Sequence, residues 1–321
     1  MKLWKPDAPH GEKSCCGVDA VNDARRVAQI LDIPYYALDM AEEFEDTVIK
    51  NFVSEYQAGR TPNPCITCNI DMKFGKLLAK AHAIGAERVA TGHYAKLRHD
   101  TNNDRYIISR ADDHSKDQSY TMWGLSQSQL AKMLLPLGAY SKHQIRELAK
   151  KIGLPTADKK DSQEICFVAT DYRDFLKGRN IETKPGNFVD PDGRVLGQHD
   201  GHLNFTVGQR KGTRLALGEP AYVIAKDAIN NLVTLGNKAQ THKTEFRLRN
   251  VNWQSIVPPK DFLEAHIKAR YNDALHPVKV FAMDDGLALI RAEQPIWAIT
   301  PGQSAVFYDD HGDVLGGGYI V

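Results

Sequence analysis

The chain has little of what would mark an exported, membrane-spanning or disordered protein. Its 321 residues hold five cysteines, 15 prolines and 24 glycines. That is too little Gly and Pro for a fibrous or low-complexity chain. No run of about 18 apolar residues occurs, so no membrane-crossing helix is expected. The first 16 residues lack the apolar core of a secretory signal, and none is expected. Charge of one sign is also missing: 41 Lys and Arg face 40 Asp and Glu, a net charge of +1. The total therefore gives no hint of a nucleic-acid partner. An odd cysteine count in a chain this long argues against a disulfide framework and for a reducing cytoplasm. What is present is ordinary for a globular protein, at 42% hydrophobic and 25% charged residues. The length suggests two or three domains.

The first part of the chain alternates helix and strand signals. Val21, Ala24, Ala28 and Leu31 share one helical face, and Pro34 ends the pattern. Residues 35–38 read as a short buried strand. Phe44, Val48, Phe52 and Tyr56 recur every four residues, the mark of an amphipathic helix. Residues 59–64 are a Gly- and Pro-punctuated loop, and helical periodicity resumes from Cys65 to Ile84, with Gly85 as its cap. Residues 88–91 form a strand signal that runs into Gly92-His93. Ser141 is placed to cap a helix carrying Ile145, Leu148, Ala149 and Ile152, closed by Gly153 and Pro155. This alternation predicts a parallel sheet covered by helices. After about residue 178 the texture changes to short β-type runs at 221–225, 232–235, 246–251, 265–271, 278–283, 287–292 and 305–308. These predict a small linking domain followed by a β-barrel or sandwich.

Several segments could carry chemistry. Cys65 and Cys68 form a CxxC, which in a cytosolic protein means redox chemistry, a metal, or two small residues packed at a helix start. Asn63-Pro64 places them at that start, where the helix dipole favours a thiolate. Cys166 could be a core residue, since free cysteine is often buried. Its meaning depends on whether it meets Cys68. Cys15 and Cys16 read as structural. Gly92-His93-Tyr94 follows a strand, where open α/β sheets bind ligands, or is a plain turn. Residues 116–120 and the basic loop 208–214 suit ligand or phosphate contact, or are solvated loops.

Taken together, these segments resemble the tRNA-specific 2-thiouridylase (MnmA) family. The matching stretches are Met1-Lys2-Leu3-Trp4, Cys15-Cys16 with residues 23–28, residues 59–65 through Cys68-Asn69, Lys73-Phe74-Gly75, residues 90–95, residues 116–120, Ile165-Cys166-Phe167, residues 205–210, Arg270-Tyr271 and residues 301–308. They run in order along nearly the whole chain. The resemblance implies an α/β fold: a Rossmann-like ATP pyrophosphatase domain (1–177), a small central tRNA-binding domain (178–243) and a C-terminal β-barrel (244–321). It implies ATP-dependent thiolation of a tRNA wobble uridine, with ATP and Mg2+ adenylating the C2 oxygen. Cys166 matches the persulfide carrier and Cys68 the nucleophile. In the direct route a Cys68–Cys166 disulfide would remain. Asn63, Pro64 and Cys65 match contacts to the target base. His93, Lys116, Asp117, Gln118, Arg270, Tyr271 and Gln303 match tRNA contacts, and Met1 and Gly92 nucleotide contacts. The implied partners are tRNAs for Lys, Glu and Gln and a sulfur-relay or cysteine desulfurase donor, with no membrane.

Two features depart from the family pattern. Some members carry Asp where this chain has Cys65. A Cys65, Cys68 and Cys166 trio could hold a [4Fe-4S] cluster with one open iron, giving an iron–sulfur version of the same reaction. A structural zinc site would need a fourth ligand. The second departure is the phosphate loop. No Ser-Gly-Gly-x-Asp-Ser motif occurs, and Gly316-Gly317-Gly318 is not followed by Asp-Ser. The expectation is a chain shortened at its front, or read from a start codon placed too far downstream. It would lack the first strand and phosphate loop, expose sheet edges, and bind ATP and thiolate poorly. A catalytically impaired tRNA-binding fragment is the competing reading.

Overall fold

The computed structural model describes residues 1–3, 18–159, 165–168, 171–215 and 218–321. Trp4, Cys15, Cys16 and residues 161–164 lie outside the described residues.

The N-terminal unit is mostly helical. Val18–Ile30 forms the first helix. A second run joins Ala41–Phe44, a wide-turned π segment Glu45–Ile49, and Lys50–Gln57. Phe44, Val48, Phe52 and Tyr56 are all buried, as their four-residue spacing requires. A third run joins Pro64–Thr67, a π segment Cys68–Lys76, and Leu77–Ala83. Ser141 caps Lys142–Lys151 with a full capping box to Gln144.

The parallel sheet among the described residues is small. Val89–Ala90 pairs in parallel with Met133–Leu134, and Lys2 bridges Asp39 in parallel. The strand expected at residues 35–38 is irregular, because its neighbour pairs only at that single bridge. The face of the Lys142–Lys151 helix is also not a core face, since Leu148 is 51% exposed. Two strands that alternation did not reveal, Ala95–Asp100 and Arg105–Arg110, form an antiparallel hairpin.

The central unit is a four-stranded sheet with Gly186–Val189 between Val195–His199 and Leu232–Gly236, and Tyr222–Asp227 at the far edge. Phe188, Phe205, Val223, Val233 and Leu235 are its core. The C-terminal unit is a closed six-stranded barrel, which resolves the choice between barrel and sandwich. Its strands are His242–Asn252, Leu263–Lys268, His276–Ala282, Ala288–Trp297, Ser304–Tyr308 and Val314–Ile320. Leu248, Ile267, Val280, Ile290 and Phe307 fill it.

The barrel does not stand apart from the N-terminal unit. Ile66, Phe74, Tyr120, Met122 and Trp123 share one apolar cluster with Val306, Tyr308 and Val314 of the barrel. The last strand, Val314–Ile320, was hidden in the sequence by Gly316-Gly317-Gly318. The seam explains Gly317, while Gly316 and Gly318 lie against Asn252, Trp253 and Val251 of the adjoining barrel segment. A Cβ on Gly317 would lie 2.9 Å from both the Ala305 carbonyl oxygen and the Trp123 ring. Polar clamps flank the ring. The Gln254 amide donates to the Met122 carbonyl at 2.7 Å, and the Asn252 amide to the Trp123 carbonyl at 2.8 Å. Tyr120 donates to the Ser304 carbonyl at 2.8 Å.

Trp123→Ala is expected to cost about 3–5 kcal/mol, the usual range for truncating a buried aromatic. Urea unfolding of the whole chain reads this directly. A loss below about 1 kcal/mol would mean the seam is not a load-carrying contact.

Candidate functional site at the barrel seam

The third helical run begins at the site. Asn63 is extended, and its side-chain oxygen accepts from the Cys65 amide at 3.1 Å. Pro64 fills the first helical position, where its missing N–H costs nothing. The cap fixes Cys65 at the surface, while Cys68, one turn on, is buried. Cys68 opens the wide-turned segment, a geometry found often at functional sites. Cys65, Cys68 and Cys166 are not joined in a disulfide.

The loop before Asn63 is tied to the barrel. Thr61 donates its amide to the Pro301 carbonyl at 2.8 Å and accepts from the Gln303 amide at 2.7 Å. Gly302 lies beneath with φ +90°, and a Cβ there would come within 2.8 Å of the Thr61 nitrogen. Glu55 accepts two bonds from Arg60, both 2.6 Å, and a third from Arg249 of the barrel at 3.2 Å. Burial alone would raise the Glu55 pKa, but the two guanidinium groups outweigh it and hold the carboxyl below its ordinary value. A polar cavity of about 200 Å³ lies behind Asn63, lined in part by Asn51, Glu55, Asp71, Arg249 and Tyr319.

Other sequence-predicted residues reach the same seam. Gln118 is pinned to the strand end: its amide donates to the Tyr94 carbonyl at 2.8 Å, and its side chain accepts from the Tyr94 amide at 3.1 Å. Tyr271 of the barrel donates to the Asp117 carbonyl at 3.0 Å. Its phenol pKa is raised by burial first, then by the nearby Asp117 and Cys65. That places Tyr271 within electrostatic reach of Cys65. Lys116 is half-buried on the same loop.

Not every predicted residue presents its side chain outward. The Asp117 carboxylate is buried and accepts from the Ala111 amide at 3.1 Å and the Ser119 hydroxyl at 3.0 Å, with Arg110 at 3.5 Å. It organises the 116–120 loop from within. Arg270 turns to the barrel wall, bonding the Ala298 carbonyl and the Thr300 hydroxyl and lying 4.7 Å over the Trp297 ring. Met1 and Gly92 are exposed, Gly92 just past the end of Val89–Ala90.

His93 is buried. Its Nδ1 lies 2.7 Å from the Thr91 hydroxyl and its Nε2 3.1 Å from the Lys73 ammonium. Burial chiefly, and the Lys73 charge, push its pKa down to about 3. Cys65 corrects an expectation. The helix start was expected to lower its thiol pKa, but protein packed around the sulfur pushes it up, with Lys73 pulling the other way. Desolvation outweighs one helix terminus here.

Cys166 is exposed, and its neighbour Phe167 anchors the segment. The Phe167 ring lies 5.2 Å from Phe52, 5.1 Å from Phe175 and 5.6 Å from Phe44. Cys68 belongs to the same apolar cluster as Phe167. Among the described residues no three His, Cys, Asp or Glu side chains are arranged to hold a metal ion. The cysteine trio therefore does not form a cluster site in this arrangement.

Lys73, Thr91, Glu55 and Arg60 were given no role in the sequence reading. Lys73 had no distinct signal, being one of several charged residues, with Asp71 and Lys76, on the same helical run. Glu55 had none, because its partners lie on a loop and a distant barrel strand.

The chain is thus built of an α/β unit, a small β unit and a closed six-stranded β-barrel. Family models bear this out. The tRNA methyl transferase HUP domain matches residues 1–170, the tRNA methyl transferase PRC-barrel domain residues 173–237, and the aminomethyltransferase beta-barrel domain residues 243–320. The chain is 47% identical over 330 residues to the tRNA-specific 2-thiouridylase MnmA of Moorella thermoacetica, covering 100% of this chain and 90% of that one. It is 47% identical over 328 residues to that of Carboxydothermus hydrogenoformans, covering 100% and 89%. With MnmA 1 of Caldanaerobacter subterraneus subsp. tengcongensis the identity is 44% over 329 residues, covering 100% and 89%. The chain belongs to the tRNA-specific 2-thiouridylase family.

The His93 pKa sets a pH test. A histidine held well below its ordinary value favours the neutral ring in the fold, so its contribution is full above about 6.5. It is lost as pH falls from there toward about 3. NMR of the ring protons should show His93 not titrating between pH 8 and 5. A midpoint near 6.5 would mean the Lys73–His93 pair does not exist in solution.

Proposed function

We propose that this chain is a tRNA 2-thiouridylase that thiolates the wobble uridine of tRNAs for Lys, Glu and Gln. The observation that carries this is convergence. Asn63–Cys65, the 116–118 loop, Tyr271 and Gln303 lie far apart in sequence and are hydrogen-bonded or electrostatically coupled across one seam. Asn63, Pro64 and Cys65 would meet the target base. Lys116, Gln118, Arg270, Tyr271 and Gln303 would frame the RNA, and Asp117 would hold the 116–118 loop in place. Domain limits at 177 and 243 fit this division of labour.

ATP with Mg2+ would supply the adenylyl group that makes the C2 oxygen a leaving group. Met1 and Gly92 would touch the nucleotide, and the nearest side chain to a Cβ added at Gly92 is Leu137, at 3.7 Å. Cys166, exposed, is placed to take sulfur from a desulfurase or relay protein in the cytoplasm. Cys68, buried in the cluster that holds Phe167, the neighbour of Cys166, would attack the Cys166 persulfide, and that shared cluster supports the reading. The Cys68 thiolate would bond to the Cys166 sulfur, and the outer sulfur would leave with the electron pair of the broken S–S bond. That hydrosulfide then attacks C2, the C2–O bond breaks, and AMP carries away its electron pair. Because the described cysteines form no metal-holding group, this relay is favoured over a cluster.

Sulfur loading tests the assignment without ATP. Incubated with cysteine and a cysteine desulfurase, the chain should carry one added sulfur by mass spectrometry. Cys166→Ser should abolish it and Cys68→Ser retain it, and both variants should bind tRNA within about twofold of the parent chain. Sulfur found on Cys68, or bound iron after anaerobic purification, would overturn the relay.

A further inference from the structure

His93 stands at a position assigned to tRNA, yet its ring has little left to offer RNA. It is only 8% exposed. An ammonium can only donate, so Lys73 donates to Nε2, and that nitrogen is the acceptor. The proton of the neutral ring then sits on Nδ1 and is given to the Thr91 hydroxyl at 2.7 Å. Both nitrogens are engaged.

Lys73 is in the opposite position. It lies on the wide-turned segment that begins at Cys68, half-buried, and its charge acts on the Cys65 thiol. Among the described residues its hydrogen-bond partner is His93, which occupies one of three N–H donors. The remaining two are taken by no hydrogen bond among the described residues. No carboxylate is paired with it in an ion pair among the described residues, although 19 such pairs of other groups hold much of the surface together. A half-buried cation without a carboxylate partner among the described residues, held by a buried neutral imidazole, is suited to receive an anion.

We propose that Lys73 is the residue that touches RNA at this corner, binding an anionic phosphate oxygen of the nucleotide seated over Cys65, and that His93 is its positioning residue. This rests on the tRNA reading above. Thr91 fixes the imidazole and the imidazole fixes the ammonium. The contact needs no proton transfer.

The salt dependence of tRNA binding, measured without ATP, tests the proposal. Each phosphate contact contributes about 0.7–0.9 to the slope of log affinity against log salt. Lys73→Met should lower that slope by about this amount, and Lys73→Arg should keep it. His93→Ala should weaken binding in the parent chain but add nothing in the Lys73→Met background, since it acts only through Lys73. An unchanged slope in a folded Lys73→Met, or a His93→Ala penalty equal in both backgrounds, would overturn the proposal. So would a Lys73→Met defect seen only when ATP is present, which would give the phosphate to the nucleotide instead. If the parent chain itself binds no tRNA, the functional reading fails, and that outcome is separate from the test of Lys73.

Discussion

The burial of Trp123 against the glycine strand of the barrel is the contact on which the rest depends. It brings a flat aromatic ring onto a strand stripped of side chains at Gly316 to Gly318. Gln254 and Asn252 satisfy the carbonyls beside the ring, while the Trp123 indole N–H is buried without a hydrogen-bond partner among the described residues. Once this seam is closed, residues 301–303 lie under the 59–64 loop and Tyr271 lies against residue 117. Neither the N-terminal unit nor the barrel contains the site by itself.

The seam also explains the character of the site. Burial, more than local helix geometry, sets its protonation states. Burial holds His93 neutral, and desolvation at the Cys65 sulfur raises its thiol pKa although the residue as a whole is exposed. Charge is placed locally. Lys73 sits on the segment that opens at Cys68, and Arg60 and Arg249 meet at Glu55 beside the cavity behind Asn63, while the whole chain stays at +1. A polyanion can be met by such a patch without any excess in the total.

Much of the fold was legible because it obeys simple periods. The four-residue spacing of Phe44, Val48, Phe52 and Tyr56 gave a buried helix, and the capping box at Ser141 marked a helix start. Most barrel strands showed as short apolar runs. The last did not, because Gly316 to Gly318 have no side chains to display a pattern, and their reason lies in a partner surface. Leu148 sits on an apolar stripe that periodicity assigns to a core, yet it is exposed, since a stripe says nothing about what covers it. At the site, motifs found the cysteines and the seam residues. They did not show that Asp117 points inward, that His93 is fully bonded, or that Glu55 joins Arg60 to Arg249, because all three depend on long-range packing.

The central claim is that the wobble nucleotide sits where the capped cysteine turn meets the barrel. Photocrosslinking with a tRNA anticodon stem-loop carrying a photoreactive uridine at the wobble position tests it most directly. Peptides containing Asn63 to Cys68 and Arg270-Tyr271 should both be labelled, and an excess of unlabelled tRNA should remove the label. Labelling confined to the central sheet, or to the exposed Lys142–Lys151 helix, would contradict the account.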